Sequence, residues 1–298
     1  MLIKGFGEFR LIERLKRGIK LDSEVILGSG DDCAVIKFDK ENLQLFTCDM
    51  IVERVDFTLK DKPYLIGRKA VASSISDISA CLGSPRHCLV SLGLPKTTSL
   101  KFVDALFKGI RDTCREYKIN IIGGDLSSSN RIVIDVSMFG LVKKSNLALR
   151  SKAKLRDLIF VTGSLGGSIK GKHLNFTPRV KESLFLSKNF KINSMIDISD
   201  GLTQDLGHIL RQSNKGAFIY EGLVPLSKQA RGLNDALTSG EEFELLFTLS
   251  QREARRLVKS KDRRFNLIGE VVDKKYGFKL IYNSGKIKDL KQKGFSHF

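Results

Sequence analysis

Apolar residues recur in the first half of the chain with two alternating periods, one helical and one extended. Helical spacing predicts an opening helix over residues 9–19, and short alternating runs predict strands over 35–38 and 43–47. Pro63 is typical of a first helical turn and predicts a helix from there to about residue 82. The pattern then predicts a strand over 89–94, a helix over 100–117, a strand over 119–122 that ends at Gly123 and Gly124, and a strand over 131–142.

The second half shows a similar succession of elements. It opens with a predicted strand over 158–162 and a glycine-rich turn over 163–167, and a strand ending at Asp197 leads into a predicted helix over 201–212. The pattern then predicts a strand over 244–248, a helix over 251–259 and strands over 266–271 and 278–282. This alternation favours an α/β (α+β) fold. Because the periodicity lapses near residues 145–154, we expect two domains, 1–148 and 149–298.

The net charge of the chain is large, but it changes the functional interpretation little. The chain has 51 Lys+Arg against 33 Asp+Glu, a net charge of +18. Three explanations compete: a nucleic-acid partner, attraction of polyanionic small molecules, or a general lysine bias. The basic residues are dispersed, and their one dense stretch, 252–264, is typical of a solvated helix face. We therefore favour the general bias and expect no specific nucleic-acid partner.

The cysteines, the N-terminal residues and the apolar runs indicate in which cellular compartment the protein is found. The five cysteines form no C-x-x-C pair and leave one over, which argues against a disulfide framework or a zinc site. The N-terminal residues include Glu8 and Glu13 and have no apolar core, so we expect no signal peptide. No apolar run approaches the ~20 residues of a membrane-spanning helix. We expect a cytoplasmic protein without a membrane partner.

A set of aspartates lies at glycine turns, at the ends of predicted strands and on one helix face. These are Asp31, Asp32, Asp49, Asp77, Asp125, Asp197 and Asp200. Carboxylates brought together need a cation, and Mg²⁺ commonly bridges a few carboxylates to substrate phosphates. The pattern therefore indicates phosphoryl transfer. Two alternatives stay open: residues 28–32 are equally typical of an ordinary turn, and Asp200 stands where it would cap the following helix.

Three glutamates, the four histidines and two absent motifs limit the kinds of reaction that the sequence supports. Glu241, Glu242 and Glu244 surround a second glycine turn, and we expect Glu244 and one neighbour to be solvated. The four histidines make no H-E-x-x-H motif, so we expect each of them at the surface or in packing. The G-x-S-x-G elbow of esterases and the G-x-x-x-x-G-K-[ST] P-loop are absent from the sequence.

Ordered motifs along nearly the whole chain resemble one family. They are GEFRLIERL (7–15), GSGDDCAV (28–35), KAVASSISDISACLGS (69–84), IIGGDLSSS (121–129), LRSKAKLRDLIFVTGSLG (149–166), DISDGLTQDLGHI (197–209), SGEEFELLFT (239–248) and KGFSHF (293–298). The set resembles the thiamine-monophosphate kinase family, within the superfamily of aminoimidazole ribonucleotide synthetase. The resemblance implies an N-terminal α/β domain that forms a barrel across a homodimer, a C-terminal α+β domain, and ATP in the cleft between them.

The resemblance also implies roles for individual residues. It implies a magnesium cluster of Asp32, Cys48, Asp49, Asp77, Asp125, Asp197 and Asp200, in which Asp77, Asp125 and Asp200 are closest to catalysis. It implies ATP binding by Gly124, Asp125, Arg150 and Ser199. It implies a thiamine monophosphate pocket that contains Asp56, Glu241 and Phe295.

The chain departs from the family pattern at five of these positions or their neighbours. Cys48 replaces a hydroxyl, Asp56 a histidine, Ser74 an asparagine, Glu242 an aspartate and Phe243 a tyrosine.

We expect direct in-line transfer of the γ-phosphate from ATP to thiamine monophosphate, which gives thiamine diphosphate. Two alternatives are a related ATP-dependent enzyme with another phosphorylated substrate and a basic nucleic-acid-binding module.

Overall fold

The structure, a computed structural model, describes residues 5–296, without the side chain of Phe9. Its helices are α1 (Glu8–Lys16), α2 (Pro63–Ala80), α3 (Leu100–Glu116), α4 (Lys172–Asn175), α5 (Val180–Asn189), α6 (Leu202–Ser213), α7 (Leu233–Thr238) and α8 (Gln251–Lys259). Its strands are β1 (Val25–Leu27), β2 (Ala34–Lys37), β3 (Asn42–Val52), β4 (Ser84–Leu94), β5 (Asn120–Ser128), β6 (Val133–Lys143), β7 (Leu158–Thr162), β8 (Ile192–Asp197), β9 (Lys215–Tyr220), β10 (Leu245–Leu249), β11 (Phe265–Asp273), β12 (Phe278–Ile281) and β13 (Ile287–Asp289).

The strands form two mixed sheets. The N-sheet has six strands in the order β1-β2-β3-β6-β4-β5, and all its neighbours are antiparallel except β4 and β5. The C-sheet has seven strands in the order β13-β12-β9-β11-β7-β10-β8, with one parallel pair, β9 and β12. Each sheet has its own apolar core. The mixed sheets with flanking helices confirm the expected fold class.

Helix α2 joins the two sheets. It contacts β3, β4 and β6 of the N-sheet and also β8 of the C-sheet. Alanine, serine and isoleucine dominate its sequence, and most of its length is buried. Such small side chains allow close approach: a Cβ on Gly67 would lie 2.0 Å from the carbonyl oxygen of Leu106 on α3. Polar side chains of α2 thus lie between the two sheets.

Most predicted elements are present, with shifted ends. Helices α2, α3, α6 and α8 and strand β7 lie within two residues of their predicted bounds. The predicted ends of two strands were wrong, because β3 continues through Asp49 and β5 continues through Gly123, Gly124 and Asp125. Helices α4, α5 and α7 and strands β1, β9 and β13 were not predicted. The domain division at residue 148 stays a prediction.

No helix within residues 5–296 has both the length and the apolar character to cross a membrane. The basic stretch 252–264 forms α8 and the loop after it, where most of its Lys and Arg side chains are exposed. This agrees with the expected solvated helix face.

Candidate active site

Three predicted metal ligands meet where the two sheets face each other. Asp32 comes from the turn before β2, Asp77 from α2 and Asp197 from the end of β8. One carboxylate oxygen from each lies within 4.8 Å of the others. Because the three residues are distant in sequence, only the packing of α2 between the sheets brings them together. We call these three residues the acid cluster.

Polar neighbours hold each carboxylate of the acid cluster. The Thr47 hydroxyl donates to Asp77 Oδ2 over 2.5 Å, and the Ser76 hydroxyl donates to Asp197 Oδ2 over 2.6 Å. Arg150 Nη2 donates to Asp32 Oδ1 over 2.5 Å, and the Arg150 backbone N–H donates to Asp31 Oδ2 over 3.0 Å.

Asp49 borders the acid cluster from β3. Its side chain lies on the same face of β3 as that of Thr47, two residues earlier. Asp49 lies close enough to Asp77 for its charge to raise the pKa of Asp77. Four of the predicted magnesium ligands are therefore neighbours in this structure.

Burial and mutual repulsion raise the pKa values of these acids. Burial is the largest cause and raises the pKa of Asp49 to about 6 and that of Asp197 to about 8. It also raises the pKa of Asp77 well above its ordinary value, with repulsion from Asp49 and Asp197 adding to the effect. Asp31 beside the cluster reaches a pKa of about 7 for the same reasons, burial and then the charge of Asp32. Arg150 alone does not neutralise this group.

The residues present fit a hard divalent cation. The buried Asp32 Oδ2 has no hydrogen-bond partner among residues 5–296. An uncompensated carboxylate oxygen of this kind normally has a ligand. The possible metal-ligand atoms around it are carboxylate and hydroxyl oxygens, which Mg²⁺ prefers.

A second acidic group adjoins the first at the start of α6. Asp200, Asp205 and His208 each place a ligand atom within 4.8 Å of the other two. Asp205 Oδ2 accepts the backbone N–H groups of Asp200 and Gly201 over 3.1 and 3.0 Å. Asp205 therefore holds the turn that leads into α6. The N-cap position of this helix belongs to Gly201, which supplies no side-chain cap.

His208 departs from the expectation that every histidine lies at the surface or in ordinary packing. It is buried beside the two aspartates, and burial lowers its pKa to about 3. Arg211 Nη2 lies 2.7 Å from His208 Nδ1. A guanidinium only donates, so Nδ1 accepts and the proton of the neutral ring is on Nε2. The expectation for His297 lies outside the described residues.

The predicted acceptor residues are also connected. Lys69 Nζ donates to Glu241 Oε1 and Oε2 over 2.7 and 2.5 Å and to the Asp56 carbonyl oxygen over 2.8 Å. The Glu241 backbone N–H donates to the carbonyl oxygen of Ser199 over 2.6 Å. The Phe295 N–H donates to the Asp200 carbonyl oxygen over 3.0 Å, and its ring is half-exposed. Asp56, Glu241, Phe295 and Ser199 thus lie around the same turn as Asp197 and Asp200.

The expectation that Glu244 is solvated was wrong, whereas its neighbour Glu241 is 25% exposed. Glu242 and Glu244 are both 1% exposed. Arg179 Nε donates to Glu244 Oε2 over 2.6 Å, the Thr162 hydroxyl donates to the same oxygen over 2.6 Å, and Lys172 reaches both glutamates. The cationic partners of both glutamates, Lys172 and Arg179, come from the segment 172–179. No structure was predicted for this segment, so the sequence did not place these cations near the glutamates.

Three predicted residues are not brought to the acid cluster. Cys48 is exposed and points to the face of β3 opposite Asp49. Gly124 and Asp125 lie in the exposed edge strand β5. Gly124 has a structural role there, because a Cβ at this position would lie 1.8 Å from the Val90 carbonyl oxygen. The ligand roles of Cys48 and Asp125 stay predictions.

Four residues of the site were missed from the sequence: Thr47, Lys69, Asp205 and His208. Thr47 precedes Cys48 and, through the alternation of β3, shares the face of Asp49. Asp205 and His208 lie one and two helical turns after Gly201. A helical projection of residues 201–212 would have placed them near Asp200.

Comparisons with known proteins show the family to which the chain is related. Residues 30–142 match AIR synthase related protein, N-terminal domain, and residues 136–281 match its C-terminal domain. The thiamine-monophosphate kinase of Buchnera aphidicola subsp. Schizaphis graminum is 36% identical to this chain, and the match covers 98% of the chain and 99% of that relative. The thiamine-monophosphate kinase of Buchnera aphidicola subsp. Acyrthosiphon pisum is 37% identical over the same shares.

A solved structure, AaThiL complexed with AMPPCP and TMP, superposes with a TM-score of 0.86 and 29% identity, covering 100% of this chain and 99% of that one. Sequence identity above 30% over nearly the full length of both chains, together with this fold, establishes relationship. The chain belongs to the thiamine-monophosphate kinase family of AIR synthase related proteins.

Proposed function

We propose that this protein transfers the γ-phosphoryl group of ATP to thiamine monophosphate and produces thiamine diphosphate and ADP. The acid cluster carries the proposal, because Asp32, Asp77 and Asp197 bring carboxylate oxygens within 4.8 Å of one another and Asp32 Oδ2 has no hydrogen-bond partner in the part of the chain that the structure describes. The relatives are named for this activity, and the AaThiL structure holds AMPPCP and TMP together. Family membership and site chemistry therefore support the same reaction.

Asp32, Asp49, Asp77 and Asp197 would hold Mg²⁺, with Thr47 as a neutral oxygen beside them. Asp200, and Asp125 at the N-sheet, complete the proposed ligand set, whereas Cys48 points to the opposite face of β3. Bound Mg²⁺ screens the negative charge of the two phosphate groups so that they can approach each other.

Arg150 and the cations around it would bind the polyphosphate of ATP. Arg150 is fixed by Asp31 and Asp32 and lines a cleft of about 1080 Å³ between α1 and α6. The cleft is large enough for a nucleotide. Further cations line both of its walls, namely Arg10, Arg14, Lys16, Arg17 and Arg211. Ser199 and Gly124 are the other proposed ATP residues.

The acceptor does not require a general base. A phosphate monoester has a second pKa of about 6, so its oxygen is already ionised at neutral pH. The protein therefore has to align the acceptor with ATP and stabilise the charge in the transition state for in-line transfer. Glu241, Phe295 and Asp56 would bind the thiamine part of the acceptor.

We also propose a homodimer in which the two N-sheets form a barrel. One face of the N-sheet is covered by α2 and α3, whereas its other face leaves large apolar side chains exposed, among them Phe46, Met50 and Leu89. Contiguous exposed apolar surface of this kind marks an interface. Cys48 lies on this open face and would enter the interface.

All five cysteines are free thiols, which supports a reducing, cytoplasmic compartment. A nucleic-acid partner gains no specific support, since the exposed cations of α8 are those of a solvated helix.

A coupled assay of ADP release with a panel of phosphorylated acceptors tests the function. We expect Mg²⁺-dependent ADP release with thiamine monophosphate and little with purine-pathway phosphates or with no acceptor. A clear preference for another acceptor would favour the alternative within the superfamily. ADP release that does not depend on any acceptor would contradict the proposal.

A further inference from the structure

Lys69 is a buried cation at the junction of the two sheets. It lies on α2, its side chain is 1% exposed, and its partner Glu241 belongs to the loop before β10. Its three hydrogen bonds, to both oxygens of Glu241 and to the Asp56 carbonyl, use all the donors of an ammonium group. A buried lysine is tolerated only when it is paired in this way.

Lys69 fixes the direction of the Glu241 carboxylate. Both oxygens of that carboxylate accept from the same ammonium group, so its rotation is restricted. The Glu241 backbone is also held, because its φ of +61° is in the left-handed region and its N–H donates to Ser199 over 2.6 Å. Glu241 remains 25% exposed and so presents its outer side to the solvent. A ligand in the pocket would meet a carboxylate in one orientation.

The same contacts set the charge of the pocket. Lys69 neutralises the Glu241 carboxylate and contacts Asp56 only at its backbone carbonyl oxygen, so the Asp56 side chain leaves one net negative charge on these three residues. The Asp56 carboxylate is itself fixed, since its Oδ2 accepts the Val52 N–H over 2.7 Å. One cationic ring would neutralise the group, whereas a neutral or anionic ring would leave the charge unmatched.

Apolar packing lies one helical turn from Lys69, on the buried side of the ion pair. Ala72, one turn further along α2, belongs to a small buried cluster with Phe176 and Phe243. The two rings stack with centroids 3.9 Å apart, and Phe243 is two residues from Glu241. Ion pairs are stronger where water is excluded, so the cluster favours a lasting Lys69–Glu241 pair.

We propose that Lys69 is a positioning residue for the acceptor: it holds Glu241 in the orientation that binds a cationic heteroaromatic ring and limits the pocket to one net negative charge. This inference rests on the proposed function for the identity of the acceptor. It assigns to Lys69 an effect on acceptor binding that acts through Glu241, with no contact to ATP.

Lys69→Met tests the inference, because methionine is unbranched, similar in length and suited to a buried position. We expect the KM for thiamine monophosphate to rise about tenfold, while kcat and the KM for ATP stay within about twofold. Calorimetry should show the same loss of thiamine monophosphate affinity without turnover. If Lys69 only masked Glu241, its removal would free a carboxylate and tighten acceptor binding, which would overturn the proposal.

Lys172→Met is the matched control. It removes a cation from Glu242 and Glu244 in the same loop without touching Glu241. We expect its acceptor KM to stay within about twofold of the wild type. An equal rise in both variants would show that Lys69 only stabilises the loop, and would overturn the positioning role.

A double-mutant cycle with Glu241→Gln gives an independent readout. If Lys69 acts through Glu241, adding Lys69→Met to Glu241→Gln should produce little further rise in acceptor KM. Additive effects would contradict the inference. A wild-type protein that phosphorylates another acceptor but not thiamine monophosphate would instead refute the proposed function, so the two failures are distinguishable.

Discussion

At the scale of single residues, the chemistry depends on carboxylates that are stable only with a cation. Residues 31, 32, 49, 77 and 197 could be predicted from the sequence because aspartates beside glycine turns and apolar strands are unusual in so basic a chain. Lys69 could not be predicted in this way, since nothing in the sequence of α2 distinguishes it from a solvent-exposed lysine until Glu241 is placed against it.

Asp77→Asn should abolish most activity without loss of the fold. Asparagine resembles the protonated aspartate that burial already favours, so the free energy of unfolding without metal should stay equal or increase. The variant lacks a metal ligand, and kcat should fall by about 100-fold or more at saturating Mg²⁺. Steady-state kinetics and urea unfolding measure the two effects. Near-wild-type kcat would contradict the metal role of Asp77.

The raised pKa values predict a loss of stability with increasing pH in the absence of metal. The folded pKa values of Asp49, Asp31 and Asp197 are about 6, 7 and 8, above the ordinary value of 3.8. The folded state therefore binds more protons than the unfolded state, and stability falls as pH rises through these values.

Thermal unfolding between pH 5.5 and 8.5 tests this prediction. With EDTA, Tm should decrease across the range, and Mg²⁺ should raise Tm more at pH 8 than at pH 6 because protons compete with the metal for the carboxylates. A Tm in EDTA that rises between pH 6 and 8 would show that the acids are not mutually repelling.

At the scale of elements, helices α2, α3, α6 and α8 were predicted well, whereas the sequence pattern missed helices α4, α5 and α7 and strands β1, β9 and β13. The apolar spacing of α3 and α6 is regular enough to identify both. The ends of β3 and β5 were missed because Asp49 and the glycines at 123 and 124 are typical of turns, whereas pairing with β6 and β4 keeps them extended. Tertiary pairing overrides local preference at such positions.

The ion pair that connects α5 to the start of β10 should contribute strongly to stability. Arg179→Met leaves Glu244, which is 1% exposed, with one fewer cation, and we expect a loss of about 3 kcal/mol in the free energy of unfolding. Lys108→Met removes a surface pair with Asp112 on α3 and should change it by about 0.5 kcal/mol or less. Urea unfolding of both variants gives the comparison. Equal losses of unfolding free energy in the two variants would contradict the expectation that the buried ion pair stabilises the fold more than the exposed one.

At the scale of the whole molecule, α2 joins two sheets that each have a core. The AaThiL match over the full chain shows the same arrangement in a related protein. The barrel across two subunits could be expected only from the resemblance, since a single chain shows no more than an open apolar sheet face.

Met50→Lys should break the proposed homodimer. Met50 is 58% exposed on the open face of the N-sheet, and a charge there would be buried at the interface. Leu100→Lys, at an 81% exposed residue at the start of α3, is the control and should leave the dimer intact. Sedimentation velocity measures both. A wild-type monomer, or a Met50→Lys dimer of unchanged stability, would contradict the interface.

The most direct test of the central claim follows the phosphoryl group itself. The protein is incubated with ATP labelled at the γ-phosphate, thiamine monophosphate and Mg²⁺, and the products are separated by chromatography. We predict label in thiamine diphosphate equal to the ADP formed, lost on addition of EDTA and lost in Asp197→Asn. Label released as inorganic phosphate, or transfer that survives in Asp197→Asn, would contradict metal-assisted transfer at the acid cluster.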